Sequence, residues 1–342
     1  MNTLKITLHF LTLEISTHST QFYDWLKAHY QSFDQSDKFP DKAQSYSIYI
    51  EEIDSPQALS VRPVNGIFAK FCLLNAHCYY QDGVFTSAQK TESAHQCEVD
   101  TITRTVKMNL GGHFAQSEES FIYNVMRDLL KKIILPTSGL LNLHAAVVAG
   151  HGTVICLAGD KGMGKSTIAL KLMQAGYSIL SDDSPLFTSD GASTYALSSL
   201  DELSVTDNTL RLFPELAPCV VRQRDISGKY FVSRSMLASA QVYGPLKITH
   251  FIELKRAEPG RAELRSRPRT MVTGDLLREV MSLFPNFEHP RSGFFAGVNN
   301  FQFEAISQVV ADAECYTLSY SSSHLDQLPD LFANSWAEVA CR

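Results

Sequence analysis

Apolar and polar residues alternate at the start of the chain. This alternation predicts a half-buried strand, because successive side chains in a strand point to opposite faces. The apolar positions are Leu4, Ile6, Leu8 and Phe10. Apolar residues at helical spacing follow between residues 22 and 33. Further apolar runs, among them 99–110, and the turn signal Asp82-Gly83 predict several more strands before residue 112.

The pattern changes after Gly111-Gly112. Ser117 is placed to cap a helix over 117–134, whose apolar pairs recur every four residues. A strand over 141–148, a second strand over 153–158, a helix over 166–174 and a short strand over 177–180 are predicted next. This alternation of strands and helices is typical of α/β folds. Later segments predict strands at 247–254 and 315–319 and helices at 271–283, 300–313 and 325–333.

Length and composition agree with two folded domains. The chain has 342 residues, of which 44% are hydrophobic and 19% charged, as in ordinary globular proteins. The break at Gly111-Gly112 divides it into an α+β domain over residues 1–112, of unknown role, and an α/β domain over residues 113–342. The sequence is compatible with a homo-oligomer and does not define the number of copies.

Charge and cysteine content exclude several classes of protein. The 30 Lys and Arg residues against 36 Asp and Glu residues give a net charge of -6, so neither nucleic acid nor a membrane is expected as a partner. No apolar run reaches the length of a membrane span, and no signal peptide is recognisable. The seven cysteines contain no Cys-x-x-Cys pair. These features predict a cytoplasmic protein.

Residues 159–167 carry the sharpest chemical signal, and we call them the phosphate loop. They follow the rule of Gly, any four residues, Gly, Lys, then Ser or Thr, between an apolar strand and a helix. All nine are predicted to bind nucleotide: Gly159, Asp160, Lys161, Gly162, Met163, Gly164, Lys165, Ser166 and Thr167. A glycine-rich turn that merely links strand to helix is the alternative.

Each position in the loop has a physical task. The three glycines permit the backbone angles by which successive amide groups point at phosphate oxygens. The positive end of the following helix dipole is aimed at the same point. Lys165 is placed to reach the β and γ phosphates, and the Ser166 hydroxyl can bind Mg²⁺. The loop therefore predicts ATP with Mg²⁺ as the ligand.

Asp182 and Asp183 follow the short strand at 177–180. Strand ends of this kind line the ligand crevice of an open α/β sheet, so the carboxylates are expected to face the magnesium-triphosphate. Adjacent strand residues point to opposite faces, so only one of the two is expected to be a direct Mg²⁺ ligand or a base. An Asp pair that caps a turn before Pro185 is the alternative.

His144 lies in the predicted strand before the phosphate loop, within Leu143-His144-Ala145. A lone histidine in an apolar strand is more often a core residue than a catalytic one. Its interpretation changes with the segments around it. Residues 143–145, 157–167 and 176–183 together resemble the catalytic domain of HPr kinase/phosphorylase, and more closely the HPr-kinase-related proteins. The strong match covers residues 140–184.

This resemblance implies a fold and a reaction. The fold class is α/β, a P-loop kinase domain of the HPr kinase / phosphoenolpyruvate carboxykinase-like type, preceded by a smaller α+β domain. The implied reaction is ATP-dependent phosphorylation of a hydroxyl, with His144 beside the Asp pair and Asp182 or Asp183 as general base. The glycine-rich signature that contacts HPr is not recognisable, which favours a different protein or peptide acceptor.

The expected acceptor is a Ser or Thr hydroxyl on a protein or peptide. A small-molecule alcohol is the second choice. Two alternatives lack transfer altogether: an ATP-binding regulator, and an ATPase that acts on a partner. A kinase needs His144 and one of the Asp pair to face the γ-phosphate side of the loop, whereas a sensor needs only Lys165 and Ser166.

Weaker candidates are better explained without function. One group of cations, expected to be solvated, has Lys229 roughly where related proteins bind the transferred phosphate: Arg222, Arg224, Lys229 and Arg234. A second could bind an acidic partner, although a solvated loop is the simpler explanation: Lys255, Arg256, Arg261, Arg265, Arg267 and Arg269. Glu202 lies roughly where the resembled family supplies a second metal-binding acid, although the spacing is imperfect. Four residues could in principle bind zinc, but their spacing matches no common zinc finger, so buried core thiols are the better explanation: Cys72, Cys78, His95 and Cys97.

Overall fold

The computed structural model describes a mixed α/β protein. The described residues are 1–30, 44–53, 67–74, 76–81, 83–89, 94–189, 193–198, 202–223, 228–233, 236–237, 244–257, 262–282 and 293–333. Four sheets are present in this part of the chain. The chain divides into two compact units, one of Met1–Leu140 with Val280–Phe301, the other of Leu141–Glu279 with Gln302–Arg342.

The first unit contains an eight-stranded sheet and helices. Its strands are β1 (Asn2–Leu8), β2 (Leu11–Thr17), β3 (Gln44–Glu52), β4 (Ile67–Leu73), β5 (Ala76–Gln81), β6 (Val84–Gln89), β7 (His95–Asp100) and β8 (Thr105–Leu110). Its helices before residue 140 are α1 (Thr20–Tyr30), α2 (His113–Gln116) and α3 (118–137), in which α and π turns alternate. The strand order is β1-β2-β3-β8-β7-β6-β5-β4.

The remaining elements lie in the second unit or cross between the two. The strands are β9 (Leu141–Asn142), β10 (Ala146–Gly150), β11 (Thr153–Ala158), β12 (Ser178–Ser181), β13 (Leu186–Ser189), β14 (Thr194–Leu197), β15 (Glu202–Val205), β16 (Val220–Gln223), β17 (Tyr230–Ser233), β18 (Leu246–Lys247), β19 (His250–Arg256), β20 (Glu263–Ser266) and β21 (Glu314–Tyr320). The helices are α4 (Lys165–Gln174), α5 (Asp207–Leu212), α6 (Arg269–Ser282) and α7 (Gly293–Asp312), with 3-10 turns at Pro214–Cys219 and Ser322–Gln327.

Two segments of the first unit that are each predicted as one strand form two antiparallel strands joined by a tight turn. The first strand ends at Leu8 and is followed by β2, because His9 adopts φ 57 and reverses the chain. Arg104, at φ 56, likewise divides the predicted strand 99–110 into β7 and β8. Non-glycine residues at positive φ leave no turn signal in the sequence. Of the predicted Asp82-Gly83 turn, Gly83 has φ 91 and Asp82 lies outside the described residues.

The first unit extends beyond the domain boundary that the sequence suggested. The sequence places the boundary after residue 112, whereas the compact units divide after Leu140. The helix α3 begins at its cap, where the Ser117 hydroxyl accepts from the Ser120 amide. Within the unit, Phe121 stacks on Phe22 with ring centroids 4.6 Å apart. Apolar stacking of this kind ties α3 to α1 and therefore to the first unit.

A six-stranded sheet forms the centre of the second unit, in the order β12-β10-β11-β19-β21-β20. The strand β10 is antiparallel to both of its neighbours, β11 and β12. Consequently β11 and β12 run in the same direction. Their carboxyl ends and the residues just before β10 therefore meet at one edge of the sheet.

The predicted strand 141–148 is two strands in different sheets. Leu141 and Asn142 pair with β13 in a four-stranded sheet, whereas β10 pairs with β11 and β12. His144 lies in the segment between them, outside both strands. This break changes the setting of His144, because a residue between strands does not have to point into the core.

The helix α4 covers one face of the central sheet. Ile168, Ala169 and Leu172 are fully buried against strand residues such as Ile155 and Leu157. These apolar positions recur at helical spacing, which accounts for the close agreement between the predicted helix 166–174 and α4. Among the described residues, no helix combines the length and the apolar composition needed to cross a bilayer.

Candidate functional site

The phosphate loop connects β11 to α4, as the sequence predicts. Its glycines all have positive φ: 143 at Gly159, 88 at Gly162 and 90 at Gly164. Gly164 also serves as the residue before the helix. A side chain at this position would overlap the Tyr320 hydroxyl, so glycine is required by both the backbone angle and the space.

Lys165 folds back over the loop. Its side chain is only 6% exposed, and its ammonium donates to the Gly159 carbonyl at 2.5 Å. A longer contact reaches the Asp160 carbonyl at 3.4 Å. A buried ammonium held by carbonyl dipoles is poised to exchange them for phosphate oxygens, which are stronger acceptors.

The Asp pair directly follows β12, whose carboxyl end lies at the same edge of the central sheet as the phosphate loop. Asp182 is buried, and its Oδ2 accepts a hydrogen bond from the Ser204 amide of β15 at 2.8 Å. Asp183 is one third exposed, and its Oδ1 lies 2.9 Å from Nδ1 of His144. An ionised carboxylate can only accept, so the His144 Nδ1 carries the proton of this bond. The two carboxylates therefore have different surroundings, as expected for adjacent residues.

The loop and the Asp pair open on one cleft of about 650 Å³, which we call the loop cleft. Most predicted site residues line it: His144, Lys161, Gly162, Gly164, Lys165, Ser166, Thr167, Asp182 and Asp183. Gly159, Asp160 and Met163 complete the loop outside this lining. Met163 instead packs against the hydrophobic core of the unit. The structure thus brings both sequence signals and His144 together around one space.

Several lining residues escaped the sequence analysis as site residues. They come from β15, α5 and its cap residue, the end of β19 and the 3-10 turn after β21: Ser204, Thr206, Asn208, Arg211, Arg256 and Ser322. Their elements are distant from the phosphate loop in sequence, and no motif identifies them. The strand β19 lies parallel beside β11, so its carboxyl end reaches the same sheet edge as the loop. A correct strand pairing would have placed Arg256 there.

Arg256 and Tyr320 support the loop from one side. The Arg256 guanidinium lies over the Tyr320 ring, 4.8 Å from its centroid. The Tyr320 hydroxyl donates a short hydrogen bond to the Met163 carbonyl. Burial raises the pKa of Tyr320, with Arg256 opposing the shift. The hydroxyl therefore stays protonated and able to donate.

The two groups of cations that the sequence analysis named lie in different surroundings in the structure. Lys229 lines the loop cleft rather than lying in solvent. The second group does not form one surface. Arg267 is nearly buried and pairs with Glu253 at 2.9 Å, and Arg265 pairs with Glu263 at 2.6 Å, whereas Arg256 faces the cleft. Arg224, Arg234 and Arg261 lie outside the described residues, as do the side chains of Arg222 and Glu202.

The zinc-like set of cysteines and a histidine that the sequence contains does not form a metal site in the described part of the chain. This part of the chain holds no group of three or more His, Cys, Asp or Glu side chains arranged so that they could bind a metal ion. Cys78 and Cys97 are fully buried, and burial raises the pKa of the Cys97 thiol. His95 is also buried, with Nε2 3.0 Å from the Ser87 hydroxyl. The side chain of Cys72 lies outside the described residues.

Comparison with known proteins adds little to this picture. No protein-family model and no curated protein sequence matches the chain. The structure of the HPr(Ser) kinase/phosphatase from Coxiella burnetii is similar, with a TM-score of 0.29 and 11% sequence identity. The similarity covers 58% of this chain and 98% of that chain.

Proposed function

We propose that this protein is a Mg²⁺-dependent kinase that transfers the γ-phosphate of ATP to a hydroxyl, most simply a Ser or Thr of a protein or peptide. One observation carries the proposal: the His144–Asp183 pair opens on the same cleft as Lys165 and Ser166. A protein that only senses ATP needs the loop alone. A carboxylate held by a histidine beside the phosphate site supplies what transfer additionally needs, a proton acceptor.

The phosphate loop is suited to bind the triphosphate. Its three positive-φ glycines have backbone angles that allow successive amides to point at an anion, and α4 begins at the same point. When the phosphates bind, Lys165 exchanges the Gly159 carbonyl for a β or γ oxygen. Arg256 and Lys161, which also line the cleft, add positive charge there. Positioning and charge neutralisation of this kind account for most of the catalysis of phosphoryl transfer.

The oxygen donors near the loop fit a magnesium ion. Mg²⁺ prefers carboxylate and hydroxyl oxygens, and the cleft offers Ser166 with Asp182 and Asp183. When bound, the metal neutralises charge on the phosphates. Of the two carboxylates, Asp182 is the better candidate ligand, because the Ser204 amide fixes its orientation while Asp183 is engaged by His144.

Asp183 then acts as the base. The acceptor oxygen forms a bond to the γ phosphorus while the bond from phosphorus to the β–γ bridging oxygen breaks, and ADP leaves. The hydroxyl proton passes to the Asp183 carboxylate. His144 contacts Oδ1 of that carboxylate and thereby orients it. The resemblance of residues 140–184 to HPr-kinase-related proteins supports the same arrangement.

The experiment that tests the proposal measures nucleotide binding and transfer separately. Binding of a fluorescent ATP analogue is titrated with and without Mg²⁺, and γ-labelled ATP is incubated with a degenerate library of Ser and Thr peptides that is then analysed by mass spectrometry. Lys165→Ala is expected to abolish binding. Lys171→Ala is the matched control, since Lys171 lies on the same helix and pairs with Asp326 instead of facing the cleft.

Two results would contradict the proposal. Unchanged ATP affinity in Lys165→Ala would show that the loop does not bind the phosphates. Tight ATP binding with no labelled peptide, but with steady release of inorganic phosphate, would assign the site to an ATPase. Labelled small alcohols in place of peptides would keep the reaction and change only the acceptor.

A further inference from the structure

The loop cleft is positively charged in an otherwise acidic protein. The chain carries a net charge of -6, yet among the described residues that line the cleft there are five cations and two carboxylates. Four of these cations contact no carboxylate within the described residues: Lys161, Arg211, Lys229 and Arg256. Cations elsewhere in the same unit, such as Lys171 and Arg265, are paired. A concave site lined by one sign of charge concentrates the opposite sign.

The four cations belong to two different walls. Lys161 lies in the phosphate loop, and Arg256 ends the strand beside it, so both are placed next to the phosphates. Arg211 lies on α5, and Lys229 directly precedes β17. The strand β17 pairs with β15 in a separate three-stranded sheet, and α5 directly follows β15 in the chain. With Lys165 and the two nearer cations assigned to the triphosphate, Arg211 and Lys229 are left for the second substrate.

The face of α5 in the cleft is suited to a peptide. Asn208, Arg211 and Leu212 occupy positions i, i+3 and i+4, so they lie on one side of the helix, and all three line the cleft. Leu212 is 52% exposed although it is apolar. The cap of the helix is already satisfied internally, since the Thr206 hydroxyl accepts from the Thr209 amide. An amide, a guanidinium and an exposed apolar side chain in a row match an extended chain better than a compact alcohol.

Building on the proposed kinase function, we infer that the acceptor is an acidic peptide segment, whose Asp or Glu residues flank the reacting hydroxyl and bind Arg211 and Lys229. Arg211 is suited to this contact because a guanidinium binds a carboxylate through two parallel hydrogen bonds. Lys229 adds a second positive charge in the same cleft. The ion pairs between the acidic residues of the peptide and these two cations select the acceptor, while Asp183 takes the proton of the reacting hydroxyl.

The test uses three fluorescent nine-residue peptides, each with one central Ser flanked by Glu, by Gln or by Lys. The full chain is first saturated with Mg²⁺ and a non-hydrolysable ATP analogue, so that the peptides cannot occupy the phosphate site. Fluorescence anisotropy then gives the affinity of each peptide. We expect the Glu peptide to bind roughly tenfold more tightly than the Gln peptide, with the preference weakening as salt is added.

Charge reversal separates recognition from a structural role. The double variant Arg211→Glu/Lys229→Glu is expected to prefer the Lys peptide over the Glu peptide, which a merely damaged site would not do. Lys255→Gln is the control, because Lys255 is an exposed cation of β19 that pairs with Glu253. It is expected to retain the preference for the Glu peptide.

Two outcomes would overturn the inference. One is no difference between the Glu and Gln peptides on the wild-type chain, including no binding of either. The other is an acidic preference that survives in the double variant. Failure of the proposed function is recognised separately, because the ATP analogue itself would then not bind to the wild-type chain.

Discussion

Asp182 and Asp183 illustrate how two adjacent, identical side chains acquire different tasks. Asp182 is buried and oriented by a backbone amide of β15, whereas Asp183 is partly exposed and oriented by the imidazole of His144. A carboxylate that must exchange a proton with a substrate needs access to the cleft. A carboxylate that serves as a fixed ligand needs a rigid orientation. The contacts of the two residues match this division.

Replacing each aspartate by asparagine tests the division. Asp183→Asn is expected to lower the rate of transfer by about 10²- to 10⁴-fold with ATP affinity nearly unchanged, because only the proton acceptor is lost. Asp182→Asn can keep the bond to Ser204 through its amide oxygen, and is expected to raise the Mg²⁺ concentration needed for half-maximal activity. The rate of transfer and its dependence on Mg²⁺ concentration, measured for both variants, show which carboxylate is the base and which is the metal ligand. Full activity in both would remove the kinase mechanism, and the reverse pattern would exchange the two roles.

Tyr320 is expected to act on the loop rather than on the substrate. Tyr320→Phe removes the hydroxyl that holds the Met163 carbonyl, and an unsatisfied carbonyl costs roughly 1–3 kcal/mol. We therefore expect a roughly tenfold weaker affinity for the ATP analogue with a smaller change in the maximal rate. Tyr316→Phe is the control on the same strand, since its hydroxyl donates to Glu314 at 2.6 Å. Equal ATP affinity in the two variants would show that the Tyr320 hydroxyl does not position the loop.

At the scale of elements, the strand–loop–helix unit is the best predicted part of the molecule. The predicted strand 153–158 coincides with β11, and the predicted helix 166–174 differs from α4 by one residue. Both elements have strong apolar periodicity, and glycines mark the loop between them. Strands that end at non-glycine turns were joined in the prediction, as at His9 and Arg104, because nothing in their residue types marks the break.

Gly164 lies where the strand–loop–helix segment closely approaches Tyr320 of β21. Gly164→Ala imposes both a strained φ and an overlap with the Tyr320 hydroxyl, whereas Gly152→Ala imposes only the strain, since nothing lies within 4 Å of its added Cβ. Each substitution is expected to lower the free energy of unfolding by about 1 kcal/mol or more. Only Gly164→Ala is expected to weaken binding of the ATP analogue, by more than about tenfold. Equal nucleotide affinity in the two variants would argue against a contact between loop and tyrosine.

At the scale of the whole molecule, the structure predicts a pH dependence of stability. Burial lowers the pKa of His250 below 6.5, with Glu314 opposing the shift. As the pH falls below about 6.5, the unfolded chain therefore takes up this proton before the folded protein does. The free energy of unfolding should decrease over this range, with a slope of at most about 1.4 kcal/mol per pH unit from this residue.

Urea titrations between pH 7.5 and 5 measure this slope. His250→Gln is expected to make it shallower, because the buried titrating group is removed. His18→Gln, which changes an exposed histidine, serves as the control. If the slope is the same in His250→Gln as in the wild-type chain, the acid sensitivity arises from other groups.

The phosphate loop, its flanking strand and helix, and the Asp pair could all be predicted from the amino-acid sequence, because each depends on residues that are neighbours in the chain. The residues that surround them could not, because they come from distant segments that meet only in the folded protein. The antiparallel insertion of β10 between β11 and β12 brings His144 and the Asp pair to the edge where the loop lies. Strand pairing likewise brings Arg256, Tyr320 and Lys229, which directly precedes β17, to the site. Pairing depends on the packing of apolar faces between distant segments, and local periodicity fixes which side of a strand is apolar but not which strand lies beside it.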